Sequence, residues 1–194
     1  SAASDVYKRQ VHNGGGLLGV NDPSAVWANG SFFQLAPVFG IDKDLGTKKC
    51  IGKYVNPVTE GTFAMEDTPN IGESMVENPG IYCKSANVSV LAANGKTPLI
   101  TLNQFGAGKA MYLSSFRVSK ESTRFLMRAL LTLLGKEDKV RDYICDNLYT
   151  ECAYYEEIDK LVVINNSGDT QKTVIKTAKG DVTVELAPFA TKIL

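Results

Sequence analysis

One histidine, His12, and one tryptophan, Trp27, are all that the chain holds of either type. Histidine-based chemistry therefore has to run through His12 or be absent. The four cysteines (Cys50, Cys83, Cys145 and Cys152) are widely spaced and form no CxxC. With so few partners, that spacing argues against zinc. It reads instead as free buried thiols in a reducing, cytoplasmic compartment. No stretch approaches the roughly 20 apolar residues of a membrane span. Neither sign of charge is in excess, with 21 basic and 21 acidic residues, and no basic run occurs. Nucleic acid and membrane are thus not expected partners.

What is present divides the 194 residues into three stretches. Ser1 to Gln10 (SAASDVYKRQ) shows no apolar period, cap or turn chemistry. By local rules it is a polar arm or a frayed helix end. It also reads as the translation of a transposase-library sequencing adaptor, and residues 1–10 are accordingly set outside the native fold. Setting aside Lys8, Arg9 and Asp5 from the 21 basic and 21 acidic residues leaves a net charge of −1. On this reading the native sequence, from Val11 onward, is the C-terminal part of something longer.

Residues 11–138 read as α/β. Gly15 to Val20 (GGLLGV) is a buried strand of parallel type. Asn21 to Ala25 make a sharp turn around Pro23, and Ser31 caps a short helix, FFQLAPVFG, that ends at Gly40. Lys48 to Gly80 is loose. SVLAA and PLITLNQ form a hairpin about Asn94-Gly95, FGAGK (Phe105 to Lys109) is a second turn, and AMYLSS is another buried strand. Ser119 opens a helix in which Phe125, Leu126, Ala129, Leu130, Leu133 and Leu134 make one apolar stripe, stopped by Gly135. Residues 139–194 change period. After a short helical pattern around Val140 to Asn147, about five alternating strands predict a small antiparallel β-sandwich.

Chemistry is sparse. Gly14-Gly15-Gly16 precedes its strand and fits neither glycine-rich phosphate motif, and FGAGK joins two strands. Both read as turns. Glu66-Asp67 and Asp42-Asp44 fall in loop-like sequence and are expected in solvent. The bend after GGLLGV resembles a nucleophile elbow without a nucleophile. Asn21 and Asp22 there either hydrogen-bond a ligand or neighbouring domain, or serve only as turn formers. Trp27 either stacks on a sugar or fills core. Arg117, just past a strand end, either meets a ligand or makes an exposed salt bridge.

The run from Val11 to Gly46 resembles the 1,3-β-galactosyl-N-acetylhexosamine phosphorylases, the lacto-N-biose and galacto-N-biose phosphorylase family. Asn13-Gly14-Gly15, Gly19-Val20, Pro23-Ser24-Ala25 and Phe32 to Ala36 carry the likeness. NQFGAGKAMYLSS and the tail LVVINNSGD extend it. The sequence departs from the family at Asn21-Asp22, where Gly-Glu is usual, and at Phe116-Arg117. The resemblance implies a partial glutamine-amidotransferase-like (flavodoxin-like) open sheet followed by the β domain. It also implies a missing N-terminal barrel domain that carries the catalytic residues, so none is assigned here. The parent would cleave its disaccharide with inorganic phosphate as co-substrate, needing no cofactor or metal, and a homodimer is allowed. The alternative is a noncatalytic carbohydrate-binding or subunit-association domain of a β-galactosidase-like protein.

Overall fold

The computed structural model describes residues 2–24, 26, 31–46, 52–140 and 142–194. The chain divides into two compact units, Ser1–Gly135 and Lys136–Leu194.

The first unit opens with a helix rather than an arm: α1 spans Ala2–His12. Asp5 lies in its first turn and Arg9 and His12 in its last, the charge order that the helix dipole favours. The stretch set outside the fold is therefore part of it in space. Ser4 is buried, as is Val11, and the Ser4 hydroxyl bonds the Gln34 side chain.

After three linking residues β1 (Gly16–Val20) begins, followed by α2 (Ala36–Phe39) and β2 (Ile41–Lys43). Ser31 does not cap α2. The helix is one turn long, with Leu35 at its N-cap and Pro37 just inside. The amides upstream are held instead by side chains: Phe33 N–H donates to Asp42 at 3.0 Å and Leu35 N–H to Ser24 Oγ at 3.1 Å. Gly40 closes the helix in the left-handed conformation, as expected.

Short 3-10 turns at Phe63–Met65 and Ile71–Ser74 occupy the loose region. Then come β3 (Ile81–Cys83), β4 (Ser89–Asn94), β5 (Thr97–Phe105), β6 (Gly108–Leu113) and α3 (Lys120–Leu134).

The main sheet runs β1-β6-β5-β4, and β2 pairs with β3. β1 lies parallel to β6, while β6–β5 and β5–β4 are the two expected hairpins. Both faces of β6 are buried. Ala110 and Tyr112 pack with Val11, Phe33 and Phe39, while Met111 and Leu113 pack with Phe125, Ala129 and Leu133 of α3. A strand covered on both sides needs an unbroken apolar run, as AMYL supplies.

The two glycine turns meet. Gly14 and Gly15 N–H groups donate back to Val11 and Gln10 carbonyls, and Ala107 N–H donates to the His12 carbonyl at 2.8 Å. A Cβ at Gly108 would sit 2.1 Å from Val11 O and 2.2 Å from Gly15 O. Neither carbonyl can retreat, because both belong to the backbone at the α1–β1 junction.

α3 has the cap its sequence predicts. Ser119 Oγ accepts from Ser122 N–H, Ser122 Oγ accepts from Ser119 N–H, and Gly135 is left-handed at the other end. The expected stripe is only half right. Phe125, Ala129 and Leu133 face the core, but Leu130 and Leu134 are 43% and 60% exposed. Arg128, buried in the same helix, lies 2.6 Å from Asp67 and 3.2 Å from Glu66, its guanidinium 4.4 Å from the Phe63 ring centroid. Asp67 is thus tied to the helix rather than solvated. Asp42 is 3% exposed inside β2.

The second unit contains β7 (Ile144–Cys145), β8 (Thr150–Tyr155), β9 (Lys160–Asn165), β10 (Gln171–Thr177), β11 (Gly180–Leu186) and β12 (Thr191–Ile193). They form two three-stranded antiparallel sheets, β11-β10-β7 and β12-β9-β8. Both contribute to one core of Cys145, Leu161, Val163, Ile175, Val184 and Leu186. The helical pattern expected around Val140 to Asn147 gives way to β7. Tyr143 has φ 63° and donates its N–H to Lys176 O, so the chain leaves helical space to pair with β10. Sheet pairing overrides local propensity there.

Gly108→Ala should destabilise the first unit by about 2 kcal/mol or more, since the new methyl meets backbone on both sides. Urea unfolding followed by circular dichroism measures it. A loss within 0.5 kcal/mol, the range of ordinary surface changes, would show the junction to be loose.

Candidate functional site

In an open sheet, ligands and partner groups gather beyond the carboxyl ends of parallel strands. Here that place lies past Val20 of β1 and Leu113 of β6, which are register partners.

Asn21 leaves β1 at φ 58°, and its N–H donates to Leu113 O at 2.9 Å, so the turn stays tied to the end of β6. Asparagine tolerates the left-handed region better than most side chains. Asp22 follows, exposed, with one oxygen accepting from two donors: Lys43 Nζ at 3.0 Å and Asn78 Nδ2 at 3.0 Å. The same Asn78 amide also donates to Asn21 O at 2.9 Å. Asn78 is only 4% exposed. It arrives from the loop before β3 and ties the turn through both bonds. Nothing in the local sequence marks it, since its partner lies 57 positions away.

This arrangement sets the charge state. Partial burial raises the Asp22 carboxyl, but the Asn78 amide and the Lys43 ammonium outweigh that and hold it below the ordinary carboxylate value. Tyr112 stands fully buried nearby. Burial pushes its hydroxyl well above the ordinary tyrosine value, with Asn78 opposing and the Asp22 charge adding.

Of the residues singled out from sequence, Asn21 and Asp22 come together. Arg117 does not join them: it is exposed, and its carbonyl accepts from Ser122 Oγ within the α3 cap. Its guanidinium makes no ion pair among the described residues. Trp27 lies outside the described residues. Asn78 and Lys43 are the additions that sequence reasoning missed. A separate surface depression of about 330 Å³ is lined by Asp44, Lys53, Tyr54, Tyr82 and Lys96. Its Asp44 and Lys53 neutralise each other. Among the described residues no cluster of His, Cys, Asp and Glu could hold a metal ion, and no helix is long and apolar enough to cross a membrane.

Residues 2–138 match the lacto-N-biose phosphorylase central domain and residues 143–194 match the lacto-N-biose phosphorylase C-terminal domain. The chain belongs to the lacto-N-biose phosphorylase family. It is 34% identical over 189 residues to the D-galactosyl-β-1→4-L-rhamnose phosphorylase of Lachnoclostridium phytofermentans, covering 96% of this chain and 25% of that protein. It is 29% identical to the 1,3-β-galactosyl-N-acetylhexosamine phosphorylase of Bifidobacterium longum subsp. longum, covering 91% of this chain and 28% of that one. The chain thus spans about a quarter of the length of these curated relatives. A solved β-galactosidase from Rahnella sp. R3 shares the fold, with a TM-score of 0.51 at 18% identity over 98% of this chain and 30% of its own.

A carboxyl held below its ordinary value stabilises the fold fully above that value, and the contribution is lost as pH falls through the lowered one. Asn78→Ala should therefore raise the Asp22 pKa toward 3.8, the ordinary value. It should also cost about 1–3 kcal/mol at pH 7 by removing two hydrogen bonds. A carbon-13 carboxyl titration and urea melts read the two effects. An unmoved Asp22 would mean that Asn78 does not set its charge.

Proposed function

We propose that this chain is the noncatalytic central and C-terminal part of an inverting glycoside phosphorylase. The parent would cleave β-1,3-galactosyl-N-acetylhexosamine with inorganic phosphate, giving α-galactose 1-phosphate and the free hexosamine. Phosphate is the nucleophile in such a reaction, so the protein must supply an acid that protonates the departing glycosidic oxygen.

The observation that carries the noncatalytic reading is the state of Asp22. It is the carboxylate at the parallel-strand ends, and Lys43 and Asn78 favour its ionised form. An acid for the glycosidic oxygen needs its pKa raised toward neutrality, the opposite of the shift that Lys43 and Asn78 impose on Asp22. In this reading the acid belongs to the part of the parent that this chain does not span, for which the resemblance implies an N-terminal barrel. The turn at Asn21 and Asp22 serves as a contact to that part, with Asp22 shorter than the family's usual glutamate.

The first unit is read as the C-terminal portion of a glutamine-amidotransferase-like (flavodoxin-like) sheet. In its favour are the parallel β1–β6 pair and the positive-φ turn directly after β1, where such folds place a nucleophile. Asparagine there offers no nucleophile. The free, buried thiol of Cys83 fits a cytoplasmic protein.

The purified chain, given lacto-N-biose and phosphate, should release no galactose 1-phosphate, while its full-length parent does. Phosphorus-31 NMR of the reaction mixture reads the sugar phosphate directly. Turnover by the chain alone would show that the barrel is not needed, and an inactive parent would remove the substrate assignment.

A further inference from the structure

The depression of about 330 Å³ in the first unit is assembled from separate pieces of chain: Asp44 after β2, Lys53 and Tyr54, Gly80 and Tyr82 at β3, and Lys96 in the β4–β5 turn. Its polar groups are fixed by the fold. Asp44 accepts from the Gly46 N–H at 2.8 Å through one oxygen, and its own N–H donates to Gly80 O at 2.8 Å. Its other oxygen takes the Lys53 ammonium, which also stands 5.4 Å from the Tyr82 ring centroid. Gly80 has φ 83°, and a Cβ there would lie 2.3 Å from Asp44 O, so the close fit of the two loops requires glycine. Tyr54 N–H donates to Cys83 O at 3.0 Å, which holds the residue beside β3 and leaves it 42% exposed.

The lining selects a chemical class by elimination. A cation would meet two ammonium groups, Lys53 and Lys96. An anion seated against Lys53 would meet the Asp44 carboxylate, the less exposed partner of that pair. A wholly apolar molecule would strip water from these charges without replacing its hydrogen bonds. A neutral molecule with an apolar face and a rim of hydroxyls meets none of these costs. Its hydroxyls donate to Asp44 and accept from the ammonium groups, while the Tyr54 ring covers its apolar face.

We propose that the depression binds one neutral pyranose ring, stacked on Tyr54 and hydrogen-bonded by the Asp44–Lys53 pair and Lys96. The volume suits a single ring, since it falls at the low end of the roughly 300–1,000 Å³ of small-molecule sites. The site needs only residues of this unit and stands apart from the phosphorylase reading. For a ligand of about a dozen heavy atoms the dissociation constant is on the order of 1–10 mM.

Nitrogen-15 amide spectra of the purified chain, titrated with sugars up to about 50 mM, cover that range. Methyl β-D-galactoside and methyl β-D-glucoside are the neutral probes, glucuronate the anionic one and glucosamine the cationic one. At least one neutral glycoside should shift the amides of Gly46, Tyr54 and Gly80 saturably, with both charged sugars binding more weakly. Tyr54→Ala should weaken the neutral glycoside about fivefold while leaving the circular dichroism spectrum unchanged, since the side chain is exposed. Asp44→Asn should reverse the preference toward glucuronate, a change that a purely structural role for Asp44 does not produce. No saturable shift with either neutral glycoside would overturn the proposal, as would shifts confined to other parts of the chain. Tighter binding of a charged sugar to the unaltered chain, or binding that Tyr54→Ala leaves unchanged, would overturn it too.

Discussion

The first unit depends on how closely its two glycine turns approach. The link from α1 to β1 and the hairpin turn from β5 to β6 touch backbone to backbone, with Gly108 lying under the carbonyls of Val11 and Gly15 and Ala107 bonded to His12. Only residues without a Cβ permit that distance. The contact brings the start of β1 to the start of β6 and sets the parallel register Gly16↔Lys109 through Val20↔Leu113. With both starts fixed and five residues paired, both ends are fixed, and the Asn21 turn has to land beside Leu113. A mechanical requirement at one end of the sheet thereby positions the candidate site at the other.

At that far end the chemistry favours holding over reacting. One amide, Asn78, satisfies both a backbone carbonyl and a carboxylate, while Lys43 completes the charge balance. A positive-φ residue after a strand is a place where enzymes store strain, but here it is filled by a side chain that tolerates the conformation. The geometry of an elbow persists with its reactive group absent. In the proposed function that combination is the surface which the rest of the parent would read by shape and charge.

Much of this was legible in the sequence, for reasons that differ by element. β1, β4, β5, β6 and α3 were readable because short-range rules govern them: apolar runs, Asn94-Gly95, the Ser119 cap and the Gly135 stop. The small β domain was readable from its alternation. What failed depended on distant partners. Nothing local to Ile144-Cys145 signals a strand, because its pairing with β10 supplies the reason. Asp67 looks solvated in sequence because its partner Arg128 lies 61 positions away, and Asp42 because a carboxylate that accepts from a backbone amide leaves no periodic mark. GGG and FGAGK are turns, as their sequence suggests, and their further meaning, that they pack together, is not visible in either one alone. At the site, Asn21 and Asp22 were visible as turn chemistry, whereas Asn78 was not.

α3 shows why a periodic signal can be right about an element and wrong about its faces. Its apolar residues were assigned to one stripe because Leu126, Leu130 and Leu134 fall at helical spacing with Phe125, Ala129 and Leu133. Two stripes overlap in that list. One runs through Phe125, Ala129 and Leu133, and buries against β1 and β6. The other runs through Met127, Leu130 and Leu134 about half a turn away, and is exposed. A helix with a single apolar face needs one neighbour, and the sheet provides it. The second stripe is left exposed, so the period identifies the helix without identifying which of its apolar residues the sheet covers.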